Sequence, residues 1–200
     1  MIQRQEYLNK LLSFKDKQLI KIVTGVRRCG KSTLFELYQA QLLKSGVNKN
    51  QIQSINLEDP AYSELLDWKK LYDYINKRLI PNKQNYIFID EIQNVTDFEK
   101  AADGLFIKKN VDLYLTGSNS KMQSGEWATL LSGRYIEIHI LPLSFKEYHS
   151  TAFTGNIEET FSNYLENSSF PYALQLNGDR KQIRDYLGGI YNTIVLKDVV

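Results

Sequence analysis

The sequence predicts an α/β fold, in which helices pack against a mainly parallel β-sheet. Short apolar runs rich in isoleucine and valine, typical of buried strands, alternate with stretches whose apolar residues recur at helical spacing. Helical stretches of about ten residues or more between successive strands are typical of parallel sheets covered by helices. Apolar residues make up 42% of the 200-residue chain, so a sizeable core can form.

The first part of the chain predicts two strands and three helices. Apolar positions from Tyr7 to Phe14 lie on one side of a short opening helix, and Pro81 ends the third helix because proline cannot continue it. The predicted elements are, in order, a helix over 7–14, a strand over 19–24, a helix from Gly30 to about Gly46, a strand over 53–57 and a helix over 66–79.

The second part predicts three further strands and then only helix. The strands cover 86–89, 111–116 and 135–141, and helical stripes follow over 161–165 and 183–194. The last stripe crosses Gly188-Gly189 and reaches Val200 without a stop signal. We therefore predict a core over 1–145 and a helical segment over 146–200, the start of a C-terminal region that this chain lacks.

Charge and composition exclude several classes of protein. Lys and Arg number 25 against 23 Asp and Glu, a formal charge of +2, so the chain is not a general binder of polyanions. The basic pairs Lys69-Lys70 and Lys108-Lys109 are more typical of a solvated face. The lone cysteine forms no disulfide within the chain. Without a signal peptide or an eighteen-residue apolar run, we expect a cytoplasmic protein with no membrane partner.

A phosphate-binding motif follows the first predicted strand. Residues 25–32 read GVRRCGKS and match G-x-x-x-x-G-K-[ST] at every fixed position. The glycines allow a tight turn close to phosphate oxygens, Lys31 can reach the β- and γ-phosphates, and the Ser32 hydroxyl can ligate Mg²⁺. The predicted nucleotide-binding residues are Gly25, Val26, Arg27, Arg28, Cys29, Gly30, Lys31, Ser32 and Thr33.

The variable positions of this loop leave alternatives open. Arg27 and Arg28 contact phosphate or a partner in one interpretation and lie on a solvated surface in the other. We interpret Cys29 as a small residue that fills space inside the loop, where alkylation would block access of the nucleotide.

Two acidic residues end the strongest predicted strand. Asp90 and Glu91 follow four apolar residues, a pattern typical of a Walker B element. In this interpretation Asp90 holds Mg²⁺, and Glu91 orients or deprotonates the attacking water. The alternative is a pair of solvated acids at a strand end. A glutamate directly after the aspartate favours hydrolysis over binding alone.

The order of the motifs bears on the nucleotide. The strand over 53–57, between the two motif strands, is typical of NTPases in which another strand separates those two in the sheet. The alternative sets them side by side, as in GTPases and small-molecule kinases. None of the four Asn-Lys pairs is followed by aspartate in an N-K-x-D motif for guanine, so we predict ATP as the ligand.

Polar residues after the next strand and an arginine before the last one complete the candidate site. Ser118 or Asn119 could contact the γ-phosphate or the water, or form an ordinary polar turn. Arg134 is a candidate arginine finger, acting within its own chain or in a neighbouring subunit, or else it caps a turn.

With these residues considered together, the chain resembles prokaryotic AAA-type ATPases whose core is followed by a C-terminal domain of unknown function. The similarity extends over nearly the whole chain, including residues 23–33, 55–60, 90–93, 116–118, 131–135, 141–145 and 197–198. It departs at 168–171, where Ser-Ser replaces the usual glycine pair before Phe-Pro.

The resemblance implies a P-loop NTPase fold with three layers, α/β/α, a five-stranded parallel sheet in the order 5-1-4-3-2, and a short helical segment after it. It also implies Mg-ATP binding with hydrolysis, and a C-terminal half for nucleic-acid or protein recognition that this chain lacks.

Three functions remain as hypotheses: an ATPase, a nucleotide-gated module that rarely hydrolyses ATP, and a small-molecule kinase. The kinase is disfavoured because the lid region between Asn119 and Pro142 contains one arginine, Arg134. A homo-oligomer or a protein partner fits either of the first two.

Overall fold

The computed structural model describes residues 2–118, 131–151, 156–176 and 178–194. A sheet of five strands lies at its centre: β1 (Ile20–Gly25), β2 (Ile52–Asn56), β3 (Asn85–Asp90), β4 (Val111–Ser118) and β5 (Tyr135–His139). The four strand pairings are parallel, and the strands lie in the order β2-β3-β4-β1-β5. Read from the other edge, this is the order 5-1-4-3-2, so the predicted fold class is confirmed.

Helices cover both faces of the sheet and continue after it. They are α1 (Gln5–Ser13), α2 (Lys31–Lys44), α3 (Trp68–Asn76), α4 (Phe98–Phe106), α5 (Phe145–His149), α6 (Ile157–Asn167) and α7 (Arg180–Ile194). Short 3₁₀ segments connect some of them, at Lys49–Gln51, Pro60–Leu66, Ile92–Asn94 and Pro171–Leu176. The five predicted strands and the helices corresponding to α1, α2, α3, α6 and α7 are confirmed, with ends that differ by a few residues.

Helix α4 was not predicted from the sequence. This helix is short, and Gly104 near its end weakens the helical pattern. The glycine has a packing reason, because a Cβ atom there would lie 2.9 Å from the ring of Tyr72 on α3. The close approach of α3 and α4 therefore requires a residue without a side chain.

The core lies in two layers, one on each face of the sheet. One layer packs the sheet against α3 and α4 through residues such as Ile22, Ile89 and Leu105, and the other packs it against α1 and α2 through residues such as Val23 and Phe88. In the described part of the chain, no helix has the length and apolar character needed to cross a bilayer.

A buried ion pair lies near the end of the sheet where the strands begin. Lys21 of β1 donates to Asp112 of β4 at 2.5 Å, and neither side chain is exposed. Lys21 also donates to the carbonyl of Lys17, while Asp112 accepts from the Asp16 amide and the Tyr114 hydroxyl, each at 2.8 Å. Burial lowers the pKa of Lys21 and raises the pKa of Asp112.

The Tyr114 hydroxyl lies 3.1 Å from that of Tyr38 on α2, which extends this network into the core. We call the set of Asp16, Lys21, Tyr38, Asp112 and Tyr114 the amino-edge cluster. Its hydrogen bonds join β1, β4 and α2, so it contributes to the register of the central strands.

Candidate functional site

The loop between β1 and α2 turns on two glycines. Gly25 has φ +149°, and a Cβ atom there would lie 2.3 Å from the carbonyl oxygen of Ile140. Gly30 has φ +100° and precedes the first residue of α2. Both conformations are ones that residues with side chains rarely adopt, so the loop requires glycine at these positions.

Lys31 is the first residue of α2 and turns its side chain back over the loop. Its Nζ atom donates to the carbonyl oxygens of Gly25 at 3.1 Å and Val26 at 3.4 Å, and lies 3.8 Å from Oε1 of Glu91. The N–H groups of the first turn of α2 have no acceptor within the helix. A buried ammonium beside free helix N–H groups makes this loop suited to an anion.

The strand register brings Asp90 beside Thr116. Ile89 of β3 pairs with Leu115 of β4, so the next residue of each strand lies at the carboxyl end of the sheet. Asp90 accepts a hydrogen bond from the Ser32 hydroxyl at 2.5 Å and another from the Thr116 hydroxyl. One carboxylate therefore joins the start of α2 to β4.

Glu91 follows with a left-handed backbone, φ 57°. Its amide donates to the Thr116 hydroxyl at 2.9 Å, and its Oε2 accepts from the side-chain amide of Gln93. Thr116 thus orients both acids, since its hydroxyl accepts from the Glu91 amide and donates to Asp90. We call Lys31, Ser32, Asp90, Glu91 and Thr116 the carboxyl-edge cluster.

Thr116 and Gln93 were missed as site residues. Both lie in segments that carry the family resemblance, 90–93 and 116–118, but the sequence of these segments does not show which side chains contact the acids. The signal for Thr116 is the register between β3 and β4, which the sequence does not specify.

The remaining loop residues differ in exposure. Cys29 is fully buried in the core layer beneath the loop, and Val26 is half-buried. Thr33 is exposed on the first turn of α2. The guanidinium of Arg28 is exposed and lies 5.8 Å from the ring of Tyr186 on α7. Arg27 is half-buried.

Ser118, predicted to follow the fourth strand, is the last residue of β4, and its described backbone pairs with Gly25 in the sheet. Asn119 lies outside the described residues.

The structure does not bring Arg134 to the loop. Its carbonyl accepts from the amide of Ile20, the first residue of β1, and its guanidinium pairs with Asp103 on α4 at 3.1 Å. Five residues of strand, about 16 Å, separate Ile20 from Gly25. This position favours the alternative of a neighbouring subunit, and the arginine-finger interpretation of Arg134 stays a prediction.

The donor set fits a magnesium ion that takes most of its ligands from phosphate and water. No cluster of three or more His, Cys, Asp or Glu side chains arranged for a metal occurs among the described residues. Mg²⁺ in phosphate-binding sites usually has only one or two protein ligands. The Ser32 hydroxyl donates a hydrogen bond to Asp90, which leaves the lone pairs of the serine oxygen available to a cation.

The sequence matches a family described as "AAA domain" over residues 17–149. It is 37% identical over its whole length to an uncharacterised protein of Haemophilus influenzae, of which it covers 50%. It is also 30% identical, over 86% of the chain, to an uncharacterised protein of Methanocaldococcus jannaschii, of which it covers 41%. The chain thus spans about half the length of these relatives.

Solved structures with low sequence identity have the same fold. The Walker-type ATPase PABY2304 of Pyrococcus abyssi matches all of this chain and 75% of its own, with a TM-score of 0.62 and 14% identity. DnaA of Aquifex aeolicus, solved with AMPPCP bound, matches 95% of this chain and 62% of its own, with a TM-score of 0.58 and 14% identity. In this sheet β4 lies between β1 and β3, so the predicted separation of the two motif strands is confirmed.

Proposed function

The chain belongs to the family of AAA domains, and on that premise we propose that it binds Mg-ATP at the carboxyl-edge cluster and hydrolyses it. The observation that carries the proposal is the position of Lys31. Its side chain is 5% exposed, and its ammonium lies over the loop carbonyls, 3.8 Å from the carboxylate of Glu91. A phosphate would give this cation a closer and stronger partner.

Phosphate binding uses the loop backbone together with Lys31. The N–H groups at the start of α2 donate to phosphate oxygens, and the positive end of the helix adds to the attraction. Lys31 moves from the carbonyl oxygens of Gly25 and Val26 to the β- and γ-phosphates. In this proposal the other loop residues, 26–29 and Thr33, shape the turn and its rim.

Ser32 and Asp90 are the residues that would hold Mg²⁺. The ion, when bound, neutralises charge on the β- and γ-phosphates. Asp90 accepts the hydrogen bond of the Ser32 hydroxyl and so orients the serine oxygen toward the ion. Thr116 fixes the other oxygen of Asp90, which prevents the carboxylate from rotating.

Glu91 is the proposed base for the attacking water. Its carboxylate is held by Gln93 and faces Lys31. When Lys31 turns to phosphate, Glu91 loses its nearest cation and can accept a proton from water. Ser118 and Asn119 stay candidates for contact with the γ-phosphate.

Thermal unfolding with and without Mg-ATP tests binding. Ligand at about a hundred times its Kd adds about 2.7 kcal/mol of stability, a Tm rise of about 5–10 °C for a chain of this size. We expect this rise in the parent chain and its loss in Lys31→Met. A cooperatively folded parent with no rise would contradict the proposal.

Phosphate release with Glu91→Gln tests hydrolysis. The substitution retains the shape of the side chain and removes the basic oxygen, so we expect turnover to fall by about 10² or more while Mg-ATP still binds. Equal turnover in both chains would remove the catalytic role from Glu91.

The second candidate function is a nucleotide-gated switch with little turnover. The contacts of Glu91 favour it, since Lys31 and Gln93 both hold the proposed base. Tight ATP binding with no phosphate release in the parent chain would select this alternative.

The activity of the whole protein is a further proposal, because the relatives are about twice as long as this chain. We propose an ATPase core over 1–145, followed by a helical segment over 146–200 that begins a C-terminal region for a protein or nucleic-acid partner. Arg134 would reach a nucleotide from a neighbouring subunit of an oligomer.

A further inference from the structure

Arg4 is a buried arginine that the sequence analysis did not single out. It precedes α1, and its side chain is 5% exposed. Its guanidinium donates in three directions, from Nη1 to the carbonyl of Cys29 at 3.0 Å, from Nη2 to the carbonyl of Leu141 at 2.6 Å, and from Nε to Glu147 at 2.9 Å. One side chain therefore joins the phosphate loop, the segment after β5 and α5.

The surroundings of Arg4 hold it in one position. Its backbone is left-handed, φ 33°, a conformation that costs a residue with a side chain about 1 kcal/mol. Its carbonyl accepts from the amides of Tyr7 and Leu8 at 3.1 and 3.2 Å, and its guanidinium lies 4.7 Å from the centre of the Tyr7 ring. The first turn of α1 thus fixes the start of the side chain, and the three acceptors fix its end.

The contact with Cys29 determines the direction of a neighbouring amide. A trans peptide is planar, and its C=O and N–H groups point in opposite directions. Because Arg4 donates to the Cys29 carbonyl, the Gly30 N–H of the same peptide points away from Arg4. Gly30 has no side chain to oppose a reversal of this peptide, so an external contact is needed to fix it.

We propose that Arg4 is a positioning residue for phosphate binding, which holds the Cys29–Gly30 peptide in the orientation that donates the Gly30 N–H to the ligand. The inference rests on the proposed function, because it specifies how the same loop is prepared for its anion. Arg4 acts through the peptide and touches no phosphate itself.

The third contact extends this role to the C-terminal segment. Glu147 pairs with Arg4 through Oε1, while its Oε2 accepts from the amide of Ser144 at 2.8 Å and so completes the start of α5. The position of α5 is therefore tied to the orientation of the loop peptide through one guanidinium.

Arg4→Ala tests the proposal through two measurements. In the nucleotide-free chain, we expect the ¹⁵N–¹H resonance of Gly30 to shift or broaden as its peptide loses a fixed orientation. We also expect affinity for ADP to fall about tenfold or more, because the β-phosphate occupies the loop, while the weaker affinity for AMP stays within about twofold. Guanidinium ion at millimolar concentration should restore ADP affinity, and methylammonium at equal ionic strength should not.

The matched control is Arg180→Ala, which removes another arginine paired with a glutamate, Glu166, at an exposed position. We expect it to leave ADP affinity and the Gly30 resonance unchanged. Arg4→Lys serves if Arg4→Ala does not fold, since lysine retains the charge but cannot reproduce the planar fork.

The outcomes separate the two proposals. A parent chain that binds neither ADP nor ATP contradicts the proposed function and removes the phosphate-binding role of Arg4 with it, while the Gly30 resonance still shows whether Arg4 fixes the Cys29–Gly30 peptide. A parent that binds ADP together with an Arg4→Ala chain that binds it equally well would overturn that inference alone. Equal losses for ADP and AMP would also overturn it, since they would indicate general disruption of the fold.

Discussion

The two ends of the sheet each contain a buried lysine beside a carboxylate, and the two pairs differ in how completely they are satisfied. In the amino-edge cluster, Lys21 and Asp112 lie 2.5 Å apart, with no exposure of either side chain. In the carboxyl-edge cluster, Lys31 and Glu91 lie 3.8 Å apart, and the side chains are 5% and 12% exposed. The first pair is fully buried and hydrogen-bonded, whereas the second is slightly exposed and lies beyond hydrogen-bonding distance.

This difference teaches that buried charge alone does not identify a functional site. Lys21 has a carboxylate and a carbonyl as close acceptors, so no ligand could improve its contacts. Among the described residues, the hydrogen-bond acceptors of Lys31 are two loop carbonyls, at 3.1 and 3.4 Å, and an anion would bind it better than either. The unused capacity for hydrogen bonding distinguishes the candidate site from the structural pair.

The same substitution at the two lysines should separate stability from binding, and this is the largest effect we expect. Lys21→Met leaves Asp112 buried without its cation, which costs about 3–5 kcal/mol of unfolding free energy and lowers Tm by about 6–20 °C. Lys31→Met should change the stability of the nucleotide-free chain by about 1 kcal/mol and reduce affinity for Mg-ATP by about 10².

Urea unfolding and nucleotide titration on both variants provide the measurement. The folded fraction of Lys21→Met should bind Mg-ATP with the affinity of the parent. A stability loss at Lys31 as large as that at Lys21 would contradict the comparison, because it would make both clusters structural.

Buried phenols should make stability depend on pH in the alkaline range, and two of them belong to the amino-edge cluster. Burial raises the pKa of Tyr38 and of Tyr114 above the ordinary value of 10.0. The folded chain therefore retains protons that the unfolded chain loses, so stability falls as pH rises above 10, by about 1.4 kcal/mol per pH unit and per phenol. Lys21, with a lowered pKa, opposes this fall only below its ordinary value of 10.5.

Unfolding measured between about pH 10.5 and 11.5 tests this expectation. Tyr38→Phe removes one phenol and should reduce the slope by about 1.4 kcal/mol per pH unit. Ser32→Ala, in the carboxyl-edge cluster, is the control and should leave the slope unchanged. If the slope of unfolding free energy against pH were unchanged in Tyr38→Phe, the titrating group would not be Tyr38.

Thr116 should affect both stability and turnover, each moderately. Thr116→Val removes the hydroxyl that joins Asp90 to the Glu91 amide, so we expect a loss of about 1–2 kcal/mol in stability and about tenfold in the turnover of ATP. Thr116→Ser retains the hydroxyl and should recover most of the turnover. If the valine variant turns over like the parent, orientation of the acids by Thr116 is not needed.

The sequence predicted those parts of the molecule that depend on local pattern. The predicted site residues in the loop from Gly25 to Ser32 and at the end of β3 follow from fixed spacing and from the end of a strand. Thr116, Gln93 and Arg4 could not be predicted, because their roles depend on strand register and on contacts between distant segments. The position of Arg134 could not be predicted for the same reason. It pairs with the start of β1, whereas the phosphate loop follows the end of that strand, on the opposite side of the sheet.

Cys29 lies directly beneath the carboxyl-edge cluster, and its substitution should have the smallest effect. The thiol is fully buried, and burial raises its pKa although the cations of Lys31 and Arg4 act in the opposite direction. Because the thiolate is the reactive form, iodoacetamide at neutral pH should modify the folded chain at least about 10² more slowly than the chain in urea. Cys29→Ala should leave Mg-ATP affinity within about threefold, because the loop contributes its backbone at this position. If the folded chain were instead alkylated fast, and Mg-ATP prevented this alkylation, the Cys29 thiol would belong to the nucleotide site and not to the core.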